Sequence, residues 1–112
     1  MSKQKFINTT KYEDFLNPTS IYPAAQRRVE KLIDAVRDNP NVIKIYIFGS
    51  SLTRRWTVYS DLDFYLVLKK EQKKILVKPL PFEYDMLTNF NVEQKFLEKE
   101  ILDKGELVYE RK

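Results

Sequence analysis

Two neighbouring stretches decide the fold of this chain: Val42–Ser50, which reads VIKIYIFGS, and Ser60–Leu68, which reads SDLDFYLVL. Both are rich in β-branched and aromatic residues, so each predicts a strand. In the first stretch every second residue is apolar and points to one side, at Ile43, Ile45 and Ile47. The second stretch is apolar on both faces beyond Asp63, which predicts a strand inside a sheet.

A helical pattern precedes the strands. Apolar residues recur at helical spacing, at Ile21, Ala25, Val29, Leu32, Ile33 and Val36. The charged residues of the opposite face predict a solvated surface, at Arg27, Arg28, Lys31 and Asp34. Met1 to Pro18 is polar and aperiodic, which predicts a loosely packed N-terminal arm.

The second half of the chain predicts further strands and a final helix. We expect a short helix from about Ser51 to Val58, a strand end at Ile75 to Val77 and a third strand from Phe82 to Leu87. Asn91 and Gln94 resemble a capping box, before a helix whose inner face is Val92, Phe96, Leu97 and Ile101. Leu107 to Tyr109 predicts the last strand. The prediction is one α/β or α+β domain over residues 1–112, with helices packed on a short mixed sheet.

Composition restricts the possible chemistry. The 112 residues include neither histidine nor cysteine, which excludes histidine-based triads, thiolate nucleophiles and the usual zinc sites. The net charge of +4 is compatible with a polyanionic partner but is not specific for one. No apolar run approaches membrane-spanning length, so we expect a cytoplasmic protein with no membrane partner.

The strongest chemical signal is the pair Asp61 and Asp63. Residues two apart on a strand point to one face with α-carbons roughly 6.6 Å apart, so both carboxylates can converge. Hard divalent cations such as Mg²⁺ relieve the repulsion between such groups. Asp85, in the predicted third strand, can add a third carboxylate if the two strands are neighbours, and Glu83 on the same face is its competitor.

Gly49 and Ser50 predict a site for phosphate. Glycine allows a backbone to approach a ligand closely, and the unpaired amides at the start of a helix attract anions. A phosphate cradle beside a metal cluster is what phosphoryl and nucleotidyl transfer require. An isolated Asp-x-Asp or Gly-Ser usually marks a turn with solvated side chains. Here the two occur together, with a third acid inside an apolar strand.

These residues resemble the signature of the minimal nucleotidyltransferase family of the polymerase-β-like superfamily. Its pattern is Gly-Ser, about ten residues, Asp-x-Asp and a later Asp in a strand, matched by Gly49, Ser50, Asp61, Asp63 and Asp85. The resemblance implies transfer of a nucleoside monophosphate, AMP from ATP in the first instance, by a two-metal mechanism. Asp61 and Asp63 would bind both Mg²⁺ ions, Asp85 would bind the metal beside the attacking hydroxyl, and Gly49 and Ser50 would contact the β and γ phosphates.

One position departs from the family pattern. Members often carry an arginine three places after the serine, where this chain has Thr53 followed by Arg54 and Arg55. Either arginine can contact phosphate or face solvent. Trp56 and Tyr59 can stack on a base or serve in packing.

The resemblance also implies a partner, because small members of the family often act as the antitoxin of a toxin–antitoxin pair with a HEPN-type protein. RNA or a small molecule remains an alternative acceptor. Two other functions were weighed: a regulatory nucleotide-binding subunit with weak catalysis, and a glycosyltransferase. The second also uses Asp-x-Asp but needs a much larger domain and has no role for Gly-Ser.

Overall fold

The computed structural model describes residues 5–112 and shows an α+β fold. Its regular elements, in chain order, are α1 (Pro23–Val36), β1 (Val42–Phe48), β2 (Leu62–Leu68), β3 (Tyr84–Thr88), α2 (Lys95–Lys104) and β4 (Glu106–Glu110). Single 3-10 turns occupy Pro18–Ser20 and Gly49–Leu52. The predicted class, helices packed on a short mixed sheet, is confirmed.

The four strands form one sheet in the order β3-β2-β1-β4. β1 runs antiparallel to both β2 and β4, whereas β2 and β3 are parallel. The prediction that β2 lies inside the sheet is confirmed, since it pairs on both sides. This order places the Asp-x-Asp motif between the Gly-Ser strand and the strand that carries Asp85.

α1 covers one face of the sheet and supplies much of the core. Its predicted apolar stripe is confirmed, because all six residues are fully buried: Ile21, Ala25, Val29, Leu32, Ile33 and Val36. They pack with alternate residues of β2, namely Leu62, Phe64, Leu66 and Leu68. Burial of each large aliphatic side chain contributes about 1.5–3 kcal/mol. The helix starts at Pro23, directly after Tyr22.

A register shift changes the predicted alternation of β1. The pairing with β2 is irregular between Val42 and Lys44, which is the signature of a bulge. As a result Val42 is fully buried, while Ile43 is only partly buried and Ile45 and Ile47 keep their predicted place in the core.

The short helix predicted from Ser51 to Val58 is wrong beyond its first turn. Only Gly49–Leu52 is helical, and Thr53 is already extended with φ −136°. The Thr53 backbone N–H and hydroxyl both donate to the Ser50 carbonyl. Hydroxyl side chains that bond to nearby backbone compete with helix propagation in this way.

The predictions for α2 are partly wrong. The capping box does not form, because the Asn91 side chain accepts from the Thr88 N–H and the helix begins only at Lys95. Of the predicted inner face, Ile101 alone is buried, whereas Phe96 is 73% exposed. The helix packs on the domain through its C-terminal half. The apolar spacing in its first turn therefore does not correspond to buried residues.

Two strand predictions also need correction. The third strand begins two residues later than expected and spans Tyr84–Thr88. Residues 75–77 form no strand, although Ile75 is buried and the Val77 N–H donates to the Ala35 carbonyl. Pro79 and Pro81 follow directly, and proline cannot donate to a sheet ladder. The last strand extends one residue beyond its predicted bounds at each end.

Residues 5–18 are held against the domain rather than loosely packed as predicted; residues 1–4 lie outside the described part of the chain. Phe15 is buried in the core, and the Leu16 N–H donates to the Val108 carbonyl. Gln26, fully buried on α1, donates to three carbonyls and accepts from both the backbone N–H and the hydroxyl of Thr9. One α1 side chain therefore organises the approach of the N-terminal segment.

No helix within residues 5–112 combines the length and the apolar character needed to cross a membrane.

Gln26→Ala tests this anchoring role. We expect the free energy of unfolding to fall by about 2–4 kcal/mol, because Gln26 is buried and its hydrogen bonds to three carbonyls and to Thr9 are lost together. Urea unfolding would measure the change, with Gln94→Ala, at an exposed helix cap that makes no side-chain bond, as the matched control. Equal losses in the two variants would contradict the role assigned to Gln26.

Candidate nucleotide and metal site

Asp63 and Asp85 lie side by side on the sheet face opposite α1. The parallel pairing of β2 and β3 puts them in register, close enough for their carboxyl groups to share a hydrogen bond when one of them is protonated. The residues that alternate with them, Phe64 and Tyr84, point to the core, where their rings stack at 5.6 Å. Because side chains alternate along a strand, the apolar anchors force both carboxyls to the other face.

The environment of Asp63 disfavours its charged form. Partial burial, the charge of Asp85, the hydrogen bond with Asp85 and the charge of Asp61 together raise the Asp63 pKa from 3.8 to about 6. Within residues 5–112 none of these three acids forms an ion pair with a lysine or arginine. The site is therefore a concentration of negative charge without a protein counterion in the described residues.

Asp61 lies near this pair but outside it. It immediately precedes β2, is exposed, and influences Asp63 through its charge. Across the described residues no three acidic side chains are arranged to hold a metal ion. The structure thus brings together Asp63 and Asp85, with Asp61 at longer range. Glu83, the competitor of Asp85, is exposed and precedes β3, and its carbonyl accepts from the Leu62 N–H.

Gly49 sits directly against the Asp63 carboxylate. Its φ of +80° lies in the left-handed region, and a β-carbon added there would be 2.4 Å from Asp63 Oδ2. Phe48 is paired with Asp63 across β1 and β2. The left-handed backbone favours glycine here, and a β-carbon would also require the Asp63 carboxylate to move.

Ser50 is the second residue of the 3-10 turn that follows β1. Its carbonyl is occupied by Thr53, and the turn is too short to provide the dipole of a regular helix. Arg54 and Arg55, which follow, are exposed, and the Arg54 guanidinium lies 5.9 Å from the Phe6 ring.

A cleft of about 410 Å³ adjoins Gly49 on the side of α2. Its walls are the end of β1 with the 3-10 turn and the C-terminal half of α2, and its principal lining residues are Phe48, Gly49, Leu52, Leu97, Ile101 and Gly105. α2 is also tied to β2, because the Tyr65 hydroxyl donates to the Glu98 carboxylate; burial and this bond raise the Tyr65 pKa. The volume is in the range of small-molecule sites.

The sequence prediction for Arg28 is wrong: this residue is partly buried rather than solvated. Its guanidinium lies 5.1 Å from the Trp56 ring and 5.4 Å from the Phe82 ring. Arg28 is three residues after Ala25 and four before Leu32, so it borders the buried stripe. This spacing is the feature of the sequence that could have predicted its partial burial. Trp56 stacks on Tyr22 at 5.3 Å and serves in packing, whereas Tyr59 is 92% exposed.

Gly49→Ala should lower the free energy of unfolding by about 2 kcal/mol or more, since left-handed backbone alone costs an alanine about 1–2 kcal/mol. In an Asp63→Ala background the added methyl group no longer meets the carboxylate, and the cost should fall to about 1 kcal/mol. A double-mutant cycle by urea unfolding measures this coupling. Strict additivity of the two substitutions would contradict the contact.

The raised Asp63 pKa predicts a pH-dependent penalty in metal-free protein. Between pH 3.8 and about 6 the folded state binds more protons at Asp63 than the unfolded state, so this group lowers stability as pH rises through that window. The free energy of unfolding of Asp63→Asn, relative to that of wild type, should be about 1–2 kcal/mol higher at pH 7.5 than at pH 4.5. This value is reduced for solvent screening. Unfolding in EDTA at both pH values measures it; the same difference at both would refute a raised pKa.

Comparison with known proteins places this geometry in a family. The family model for polymerase beta, nucleotidyltransferase matches residues 30–112, which includes every site residue predicted from the sequence. Searches among curated proteins and among solved structures each gave no match. The match covers most of the chain and spans the Gly-Ser strand, the Asp-x-Asp strand and the strand of Asp85, so the protein belongs to the polymerase-beta-like nucleotidyltransferases.

Proposed function

We propose that this protein transfers a nucleoside monophosphate, AMP from ATP, to an acceptor hydroxyl with release of pyrophosphate, and that Asp61, Asp63 and Asp85 are Mg²⁺ ligands. The observation that carries the proposal is the in-register pair Asp63–Asp85, with the Gly49 backbone against it. Acids in this arrangement serve no evident structural purpose, because they repel each other and lack a basic partner in the described chain.

The donor set fits Mg²⁺. Both members of the pair present carboxylate oxygens, the ligands that this hard cation prefers. The repulsion that raises the Asp63 pKa is also the repulsion that a cation would relieve. When bound, Mg²⁺ would neutralise phosphate charge and act as a Lewis acid.

The residues around the pair support a nucleotide substrate. At Gly49 the backbone reaches the Asp63 carboxylate with no side chain between them, and the adjoining cleft is large enough for part of a nucleotide. Asp85 is exposed on the edge strand β3, so an acceptor hydroxyl can approach it from solvent. We therefore assign Asp61 and Asp63 to the triphosphate, Asp85 to the acceptor, and Gly49 and Ser50 to the β and γ phosphates.

For the acceptor we propose a protein partner of the HEPN type, in a toxin–antitoxin pair, with RNA or a small molecule as alternatives. The resemblance to minimal nucleotidyltransferases suggests this partner. Exposed apolar side chains on α2 support a protein partner in general, since such residues often mark interfaces: Phe96, Leu97 and Leu102.

A second candidate function is a nucleotide-binding regulatory subunit with weak catalysis. The observation in its favour is that Asp61 stands apart from the Asp63–Asp85 pair, so no three-acid metal group is assembled in the described residues. Binding of Mg²⁺ and ATP without transfer would support this candidate over the first.

Single substitutions of the acids test the proposed roles. Asp61→Asn and Asp63→Asn should lower transfer by about 10²–10³-fold or more, as when other electrostatic elements of a transition state are removed, and both should weaken Mg²⁺-dependent ATP binding. Asp85→Asn should retain most ATP binding but lose transfer, because its task is on the acceptor side. Label transfer from each NTP, in the presence of lysate from the native host, measures activity, and calorimetry measures binding.

Two controls make the result decisive. Asp103→Asn removes an exposed acid of α2 and should change neither binding nor transfer, and Glu83→Gln tests the competitor of Asp85. Melting temperatures should stay level or rise in the Asp61 and Asp63 variants, because clustered like charge is reduced. If the three acid variants lose activity only because they unfold, the acids are structural and the proposal fails.

A further inference from the structure

The segment before the Asp-x-Asp motif is held in place mainly by a residue from another element. Residues 53–61 connect the 3-10 turn to β2 without regular structure. Their internal hydrogen bonds are short-range turns, such as the Ser60 N–H to the Thr57 carbonyl. Val58 and Tyr59 are 66% and 92% exposed, so the segment has little apolar anchoring of its own beyond Trp56.

Arg28 of α1 supplies the missing contacts. Its guanidinium donates to the carbonyls of Ser60 and Val58 and lies against the ring of Trp56. One planar group therefore binds the segment at alternate residues 56, 58 and 60. A guanidinium presents several donors in a fixed fork and stacks on aromatic rings, which an ammonium group cannot reproduce.

The same guanidinium contacts the approach to the other acid strand. The ring of Phe82, two residues before β3, lies 5.4 Å from it. Asp61 directly follows Ser60, and Asp85 is the second residue of β3. Arg28 is thus the point at which α1, the Asp61 segment and the start of the Asp85 strand meet.

Asp61 is the acid that most needs such support. Asp63 lies within β2 and its partners in β1 and β3 hold it from both sides. Asp61 precedes β2, is exposed, and has no ladder partner in those registers. On its C-terminal side Asp61 is followed by Leu62, whose N–H donates to the Glu83 carbonyl; on its N-terminal side its position depends on the segment that Arg28 holds.

We infer that Arg28 is a positioning residue that sets Asp61 for cation binding, through the Ser60 and Val58 carbonyls and the Trp56 and Phe82 rings. The inference rests on the proposed function. Arg28 forms no ion pair with the acids among the described residues, so its role depends on the shape of its guanidinium rather than on its charge alone.

Arg28→Lys and Arg28→Gln separate shape from charge. If the fork and stacking matter, the two variants should behave alike and bind Mn²⁺, measured by electron paramagnetic resonance, about tenfold more weakly than wild type, as when groups that orient metal ligands are removed. The Mg²⁺ concentration for half-maximal transfer should rise by a similar factor. Trp56 is the single tryptophan of the chain, so its fluorescence quenching by acrylamide should increase if the segment is released.

Arg37, the C-cap residue of α1, offers a matched control. It also combines carboxylate hydrogen bonds, to Asp14, with a ring contact, 5.5 Å from Tyr12, but it touches neither the Asp61 segment nor Phe82 in the described structure. Arg37→Gln should lower the melting temperature without changing Mn²⁺ affinity, Mg²⁺ dependence or Trp56 quenching.

The outcomes distinguish the two claims. If Arg28→Lys keeps wild-type Mn²⁺ affinity and Mg²⁺ dependence, or if Arg37→Gln shifts them equally, the positioning role is overturned while the proposed function stands. If wild type neither binds Mn²⁺ nor transfers a nucleotide, the proposed function fails, and with it a metal-directed role for Arg28.

Discussion

Asp63 and Asp85 face each other across two parallel strands although two carboxylates in contact repel, and the sheet supplies the force that holds them there. Phe64 follows Asp63 in β2, and Tyr84 precedes Asp85 in β3. Their rings are stacked against each other on the core side. A slip of one residue in either strand would expose these rings and bury the acids. Apolar burial on one face thus determines the position of charge on the other.

Several features of the molecule follow from that constraint. Gly49 has a left-handed backbone, and a β-carbon there would displace the Asp63 carboxylate, so the position favours glycine. The raised Asp63 pKa reports the same crowding in electrostatic terms. We therefore expect the fold to be less stable without a counterion than with neutral side chains at these positions. Such an arrangement is typical of a binding site, where stability is sacrificed for recognition.

α1 combines two roles that are usually separate. Its apolar stripe forms much of the core. Two of its polar residues, Gln26 and Arg28, hydrogen-bond to segments that have no regular secondary structure. Gln26 satisfies the backbone of the N-terminal segment and Arg28 that of the segment before Asp61. Buried polar groups that are fully hydrogen-bonded specify geometry as well as stability. α1 therefore contacts the site through the segment before Asp61 rather than through the sheet.

The sequence alone determined the features that local physical rules govern. Three features follow from periodicity, which needs no knowledge of the partner surface. They are the apolar stripe of α1, the interior position of β2, and the alternation that puts Asp63 and Leu62 on opposite faces of the sheet. The sequence also identified the five residues of the Gly-Ser and acid signature, whose family is confirmed by the model match over residues 30–112. It could not establish the Mg²⁺, the nucleotide or the partner, which stay predictions.

Tertiary structure decided the rest, because the energies involved come from residues far apart in the chain. The helix predicted after Ser50 stops at Leu52, where Thr53 bonds back to the turn and Trp56 instead stacks on Tyr22. α2 loses its predicted inner face because, of the four residues expected there, only Ile101 is buried. The sequence predicts Arg28 as a surface charge, and only the proximity of Trp56, Phe82 and two loop carbonyls makes it partly buried. Periodicity states which side of an element is apolar, but what covers that side depends on long-range packing.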